Sequence, residues 1–273
     1  CIHMNISKNN NNCKVISIVN QKGGVGKTTT TISLGVGLAK EGKKVLVVDA
    51  DPQGNLTACF GLEPNDIEIS ITSILSNCIN DIDMPSDYGI IHVKDEGVDL
   101  MPSNIELAAF ESDLINAMSR ELVLKSYING IRKNYDYILI DCSPSLGLMS
   151  INALACSDKV IIPLQVGYLS LKGLEQLFST IKKTKRKINS DLEIDGILFT
   201  FYEKRTNFSK MVYDSVNNIY GTAIPVYDTI IKRSIKLAEC PAAGRSIYRY
   251  APSGDAAKAY MAFTKEVIQK WEN

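Results

Sequence analysis

From Lys14 onward, short apolar runs alternate with stretches whose apolar residues recur at helical spacing. Val15-Ile16-Ser17-Ile18-Val19 reads as a strand, and 27–41 as a helix closed by Gly42 in the left-handed conformation. Val45-Leu46-Val47-Val48 is an unbroken apolar run, the pattern of a strand covered on both faces. Tyr137-Ile138-Leu139-Ile140, Val160-Ile161-Ile162 and Ile197-Leu198-Phe199 repeat the theme. Amphipathic stretches at 120–133, 171–187 and 208–220 lie between or after them, and a last helix is predicted over 254–273. This alternation predicts an α/β fold: a doubly wound, mostly parallel sheet with right-handed crossovers and helices on both faces. Residues 1–12 hold an Asn run and no apolar pattern, and read as a disordered tail. Within it, Ile2-His3-Met4 has the look of an added scar ahead of a native Met4. Residues 13–273 read as one domain, without an internal repeat or linker.

Composition narrows the classes. In 273 residues, 45% are apolar and 22% charged, which suits a globular core and excludes a disordered, collagenous or coiled-coil chain. No apolar run reaches the roughly 18 residues needed to cross a bilayer. The 7 cysteines are odd in number and widely spaced, with no C-x-x-C, so neither a zinc pattern nor a disulfide framework is predicted and a reducing cytoplasm fits. Net charge is zero, yet residues 1–136 carry 12 Lys/Arg against 17 Asp/Glu, and 137–273 carry 18 against 13. A basic face in the second half, or merely a solvated one, follows from that asymmetry. With only His3 and His92, chemistry built on a His base or a multi-His metal site is not expected.

The strand at Val15 runs into Asn20-Gln21-Lys22-Gly23-Gly24-Val25-Gly26-Lys27-Thr28-Thr29, and a helix follows. A loop that cradles phosphate turns its backbone N–H groups inward, hence Gly23, Gly24 and Gly26, and the helix N-terminus adds positive potential. Lys27 is expected at the β/γ-phosphates and the Thr28 hydroxyl on Mg²⁺. Gln21 stands where such loops usually begin with Gly, and a second lysine, Lys22, sits at the mouth. Lys22 either reaches the nucleotide of a second subunit, as an arginine finger does, or is a solvated surface lysine. Asp49 and Asp51 follow one apolar run and Asp141 another, so all three are expected at the carboxyl edge of the sheet, around the phosphates. Asp141 has the position of a Mg²⁺-holding acid. Asp49 reads as a further Mg²⁺ ligand or as a turn residue, and Asn207 as a cap for 208–220 or as a ligand.

These residues resemble a known family. Lys22-Gly23-Gly24-Val25-Gly26-Lys27-Thr28-Thr29 is similar to the deviant Walker A motif of the ParA/MinD superfamily. The likeness continues through Asp49-Ala50-Asp51-Pro52-Gln53-Gly54-Asn55, the run from Asp136 to Gly147, Arg205-Thr206-Asn207 and Leu237-Ala238-Glu239-Cys240-Pro241. It resembles in particular the small Soj-type ParA proteins. The resemblance implies an ATPase that uses ATP and Mg²⁺, with Lys22, Lys27 and Asp51 as catalytic residues and Asp51 positioning the attacking water. It implies nucleotide contacts from 22–29 and, on the adenine side, from Lys232 and Ser234, although Lys232-Arg233-Ser234 replaces the family's Pro-Arg-Asn. Gly167 stands where an acidic residue is common. DNA contacts are implied at Arg205 and Lys236, with Lys232 and Arg233 as neighbours. Such contacts should go to phosphates without sequence preference.

The function so implied is chromosome or plasmid partition. An ATP-induced homodimer would bind nonspecific double-stranded DNA, and a ParB-like partner would trigger hydrolysis, in the cytoplasm at the nucleoid. A MinD-like or other cargo-positioning ATPase is the alternative. It needs a basic amphipathic last helix, whereas Lys258, Lys265 and Lys270 are balanced by Asp255, Glu266 and Glu272, so no membrane is expected. An iron–sulfur relative would need interface cysteines, and Cys142 and Cys156 read better as buried structural ones. Lys182, Lys183, Lys185, Arg186 and Lys187 end the helix 171–187, where cations complement its dipole and a solvated end is the plain reading.

Overall fold

A computed structural model of the chain describes residues 13–166, 170–203 and 207–272, apart from the side chains of 170–172, 207 and 208. The predicted tail, Gly167, Arg205 and the capping side chain of Asn207 lie outside the described residues. The strands are β1 (Lys14–Ile18), β2 (Val45–Ala50), β3 (Ile91–Val93), β4 (Val98–Met101), β5 (Tyr137–Cys142), β6 (Lys159–Gln165) and β7 (Glu193–Thr200). They form a 7-stranded sheet in the order β3-β4-β2-β5-β1-β6-β7, parallel except for β3 against β4.

Central strands explain the unbroken apolar runs. In β2, Leu46 and Val48 pack into one layer and Val45 and Val47 into the other, all buried. The first layer brings in Leu124, Ile128, Leu154 and Leu177, the second Leu34, Leu38, Tyr260 and Phe263. Two strands run past their apolar residues: β2 includes Asp49 and β5 includes Asp141, paired in register. The β3–β4 hairpin at the edge has no apolar signature, because exposed His92 and half-buried Asp99 alternate with its apolar residues. His92 Nδ1 lies 2.7 Å from Asp99 Oδ1, whose other oxygen accepts from Tyr135 Oη at 2.9 Å.

The helix Lys27–Lys40 ends as the sequence predicts, with Gly42 left-handed at φ +82°. It lies close over β2 and β5: a Cβ on Gly35 would stand 2.7 Å from Val47 Cγ1. The last helix, Asp255–Glu272, buries Tyr260, Phe263 and Val267 beside it. Its end is fixed to the domain by Trp271 Nε1 donating to Asp195 Oδ1 at 2.7 Å and by Lys43 on Glu272 at 2.6 Å. Gly35→Val is expected to cost about 1–3 kcal/mol by overpacking that helix against the sheet. Urea unfolding would read it as a lower midpoint with an unchanged slope.

Candidate nucleotide site

Sheet topology puts β1 between β5 and β6, and the loop after β1 emerges at their carboxyl edge. Three side chains tie it down, of which sequence reasoning singled out only Gln21. Asn20 Nδ2 donates to Pro163 O at 2.8 Å while its Oδ1 accepts from Lys22 N at 2.9 Å. Gln21 Nε2 donates to Gly173 O at 3.0 Å, and Thr200 Oγ1 to Val25 O at 2.7 Å. Gln21 at the loop's first position is therefore a brace toward the following helix, which glycine could not be. Asn20 and Thr200 act across the sheet, so only a partner distant in sequence gives them meaning.

Gly24 and Gly26 have φ of +72° and +88°, as a loop with inward N–H groups requires. Gly23 differs from the expectation: its φ is not left-handed, and a Cβ there would meet nothing within 4 Å. The loop's own shape does not call for glycine at 23. The helix Lys27–Lys40 begins with no side-chain cap and no acid in its first turn. Its first N–H groups and its positive end stay available to an anion.

Lys27 is only 7% exposed, and its Nζ donates to Lys22 O at 3.3 Å. Burial lowers its pKa, and Asp141 nearby opposes that shift. Lys22 is exposed, with no ion pair among the described residues. Asp141 is 1% exposed; its Oδ2 accepts from Thr28 Oγ1 at 2.6 Å and its Oδ1 from Thr31 Oγ1 at 3.4 Å. Burial, followed by the charge of Asp49, pushes its pKa up to about 8. Such a carboxylate, aimed at hydroxyls and only partly compensated by Lys27, fits a divalent cation beside Thr28. Among the described residues no three His, Cys, Asp or Glu side chains form a metal cage. That suits Mg²⁺, which commonly takes one or two protein ligands with phosphates and waters.

The three acids do not share one role. Asp49 is fully buried; its Oδ2 accepts from Thr57 N at 2.9 Å and Thr57 Oγ1 at 2.8 Å, and its Oδ1 from Asp51 N at 3.2 Å. Both oxygens hold the segment 51–57 in place, which is the bonding of a turn residue, one of the two readings of Asp49. Thr57 Oγ1 in turn accepts from Ser103 N at 3.0 Å. Asp51, 8% exposed, follows β2 and accepts from Gln53 N at 3.0 Å through Oδ1 only. Its other oxygen has no such bond and can orient a water. Cys142 and Cys156 are both buried, and burial raises both thiols, Cys156 to about 12.

A family model described as an AAA domain matches residues 13–194. The sporulation initiation inhibitor protein Soj of Bacillus subtilis is 44% identical over 254 residues, covering 93% of this chain and 98% of Soj. The chain belongs to the ParA/Soj family. The chromosome partitioning protein ParA of Myxococcus xanthus is 37% identical across 94% of this chain and 88% of that protein. A solved structure of cobyrinic acid a,c-diamide synthase from Mycobacterium smegmatis, with bound ATP analog and magnesium, superposes with a TM-score of 0.82 at 33% identity, covering 96% of each chain.

In this ParA/Soj-family chain the basic residues of 232–236 lie beside β7. Ile231 N donates to Phe199 O at 2.9 Å, and Tyr202 N to Ile231 O at 3.1 Å, which fixes Lys232 next to Tyr202. Ser234 takes the N-cap position of the helix Ile235–Ala243 without making a side-chain cap bond. Exposed Lys232, Arg233 and Lys236 border a cavity of about 560 Å³ that Ala251, Ala256 and Ala259 also line. Arg233 meets Glu203 at 3.5 Å and Lys236 meets Glu239 at 3.0 Å, exposed pairs that a competing anion can open.

The raised carboxyl of Asp141 has a consequence for stability. The folded protein keeps its proton up to about pH 8, whereas an unfolded Asp releases one near pH 4. Nucleotide-free protein should therefore lose stability as pH rises between those values, by at most about 1.4 kcal/mol per pH unit for one group. Asp49, raised to about 6 by burial, adds to the lower half of that window. Asp141→Asn should flatten the upper half in urea titrations at successive pH values. A pH dependence untouched by that change would assign it to another group.

Proposed function

We propose that this protein is an ATP-dependent partition ATPase that segregates a chromosome or plasmid. One observation carries the reading: an otherwise complete phosphate loop has a second lysine, Lys22, exposed at its mouth without an ion pair. Lys27 already serves the bound nucleotide, so Lys22 is free to reach the phosphates of a facing subunit. The name of the ParA relative, a chromosome partitioning protein, supports the same function. In this reading Lys27 and the loop 22–29 hold ATP, Thr28 and Asp141 hold Mg²⁺, and Asp51 orients the attacking water. Lys232 and Ser234 lie on the adenine side.

ATP would join two subunits face to face. A monomer offers few phosphate contacts, whereas the dimer doubles the basic surface of Lys232, Arg233 and Lys236, with Arg205 as a further contact, and gains affinity through effective concentration. DNA binding would then follow ATP binding without sequence preference, and a ParB-like partner would trigger hydrolysis and release. The protein would act in the cytoplasm, at the nucleoid. A membrane-positioning role is not favoured, because the last helix spends its apolar face on the core through Tyr260, Phe263 and Val267.

Lys27→Ala should abolish ATP·Mg²⁺ binding. Asp51→Ala should keep binding and accumulate an ATP-bound dimer with little turnover. Lys22→Ala should bind ATP nearly normally yet neither dimerise nor hydrolyse it, as equilibrium nucleotide binding and light scattering would read. Turnover strictly proportional to enzyme far below the dimer's dissociation constant would refute the action of Lys22 across subunits.

Lys236→Ala removes one phosphate contact per subunit. The slope of log affinity against log salt for the ATP-bound dimer should become shallower by up to about 2. Affinity should fall alike on unrelated duplexes while ATP binding persists. DNA affinity indifferent to nucleotide would count against the switch.

A further inference from the structure

The helix Ser170–Lys187 buries Leu174, Leu177, Ile181 and Thr184. Its opposite face ends in Lys182, Lys183, Lys185, Arg186 and Lys187, all exposed. None of the five has an ion pair among the described residues, and none has an acid three or four positions before it on the helix. Elsewhere Lys43, Arg132, Lys159, Arg249 and Lys270 each meet a carboxylate. The nearby acid Glu193 is engaged by Lys159 at 2.6 Å and also feels the charge of Lys185 without pairing to it, and Asp191 stands between it and the helix end.

The helix dipole accounts for part of the run only. Cations are favoured in the last turn, which holds Lys185, Arg186 and Lys187. Lys182 and Lys183 precede that turn, and they sit four residues before Arg186 and Lys187. Like charges at that spacing cost about 0.2–0.5 kcal/mol per pair. Folding alone gives no return for them. The helix ends where β6 and β7 begin, at the opposite edge of the sheet from the phosphate loop.

We infer that this helix end is a second contact surface for duplex DNA, one that does not depend on the bound nucleotide. A solvated cluster of cations without intervening apolar residues matches a phosphate backbone. It does not match a bilayer, which a surface helix enters with an apolar face, and here that face is buried in the core. The choice of DNA as the polyanion rests on the partition reading. The surface lies away from the nucleotide edge, so it would hold the protein weakly on DNA in every nucleotide state, while the 232–236 surface supplies the ATP-dependent gain.

The test replaces Lys182, Lys183, Lys185, Arg186 and Lys187 together by Gln in the full chain. Binding to a fluorescent duplex of arbitrary sequence is measured without nucleotide, with ADP and with ATP, over a salt series. Without nucleotide the variant should lose about tenfold in affinity at low salt, and its salt slope should become shallower by about 2–3, as the loss of two or three phosphate contacts requires. The ratio of ATP-bound to nucleotide-free affinity should be kept, whereas Lys236→Ala should lower that ratio. Basal ATP turnover and the urea midpoint check that the fold is intact. Should the fivefold variant be unstable, Lys183→Gln with Lys187→Gln must still show a shallower slope. Nucleotide-free affinity and slope equal to the parent's would overturn the inference. So would parent protein that sediments with phosphatidylserine vesicles but does not bind the duplex without nucleotide. If ATP dependence itself is absent while the slope still falls, the partition switch fails and this surface stands.

Discussion

A carboxylate removed from water at the end of the central strand pair sets the terms for the rest of the site. Asp141 is surrounded by protein and has hydroxyl partners. Desolvation makes its charge costly, and the neighbouring Asp49 makes it costlier. Positive charge brought to the phosphate loop, by a divalent cation beside Thr28, relieves that cost and so couples cation binding to the fold. Lys27 supplies part of the compensation, and its own burial makes it sensitive to the same balance.

Around this charge the loop is held by distant residues. Asn20 reaches β6, Thr200 reaches in from β7, and Gln21 reaches the helix that follows β6. The arrangement is preformed, so less ordering remains to be done when an anion arrives. Asp49 plays the matching part on the other side, clamping Thr57 and thereby the segment that carries Asp51.

The helix carrying Lys236 is packed against both halves of this machinery. Leu237 and Cys240 line a narrow crevice with Thr29 and Ile32 of the phosphate-loop helix and with Cys59, which ends the helix after Asp51. Changes at the phosphates or at 51–57 therefore have a short, tightly packed route to a basic surface. The basic end of 170–187 lies at the other edge of the sheet, while the start of the same helix meets Gln21 of the phosphate loop.

Much of this was legible in the sequence. Unbroken apolar runs marked β1, β2, β5, β6 and β7 because strands covered on both faces need no polar alternation. The phosphate loop was legible because its chemistry demands glycines, a lysine and a hydroxyl in consecutive positions. Local spacing could not report what lies across the sheet. The edge hairpin β3–β4 was missed because alternation with His92 and Asp99 erased its apolar signature. Asp49 and Asp141 follow similar apolar runs, yet only tertiary packing turns Asp49 onto Thr57 and leaves Asp141 facing Thr28. Gly23 looks like its neighbours in sequence, but the loop bends at 24 and 26. The sequence by itself determined the alternation of buried strands with helices and the glycines, lysine and hydroxyl of the phosphate loop, because those depend on near neighbours. The tertiary structure alone decided which acid is left for a cation, which side chains brace the loop and which cations go unpaired, because each depends on groups brought together from distant parts of the chain.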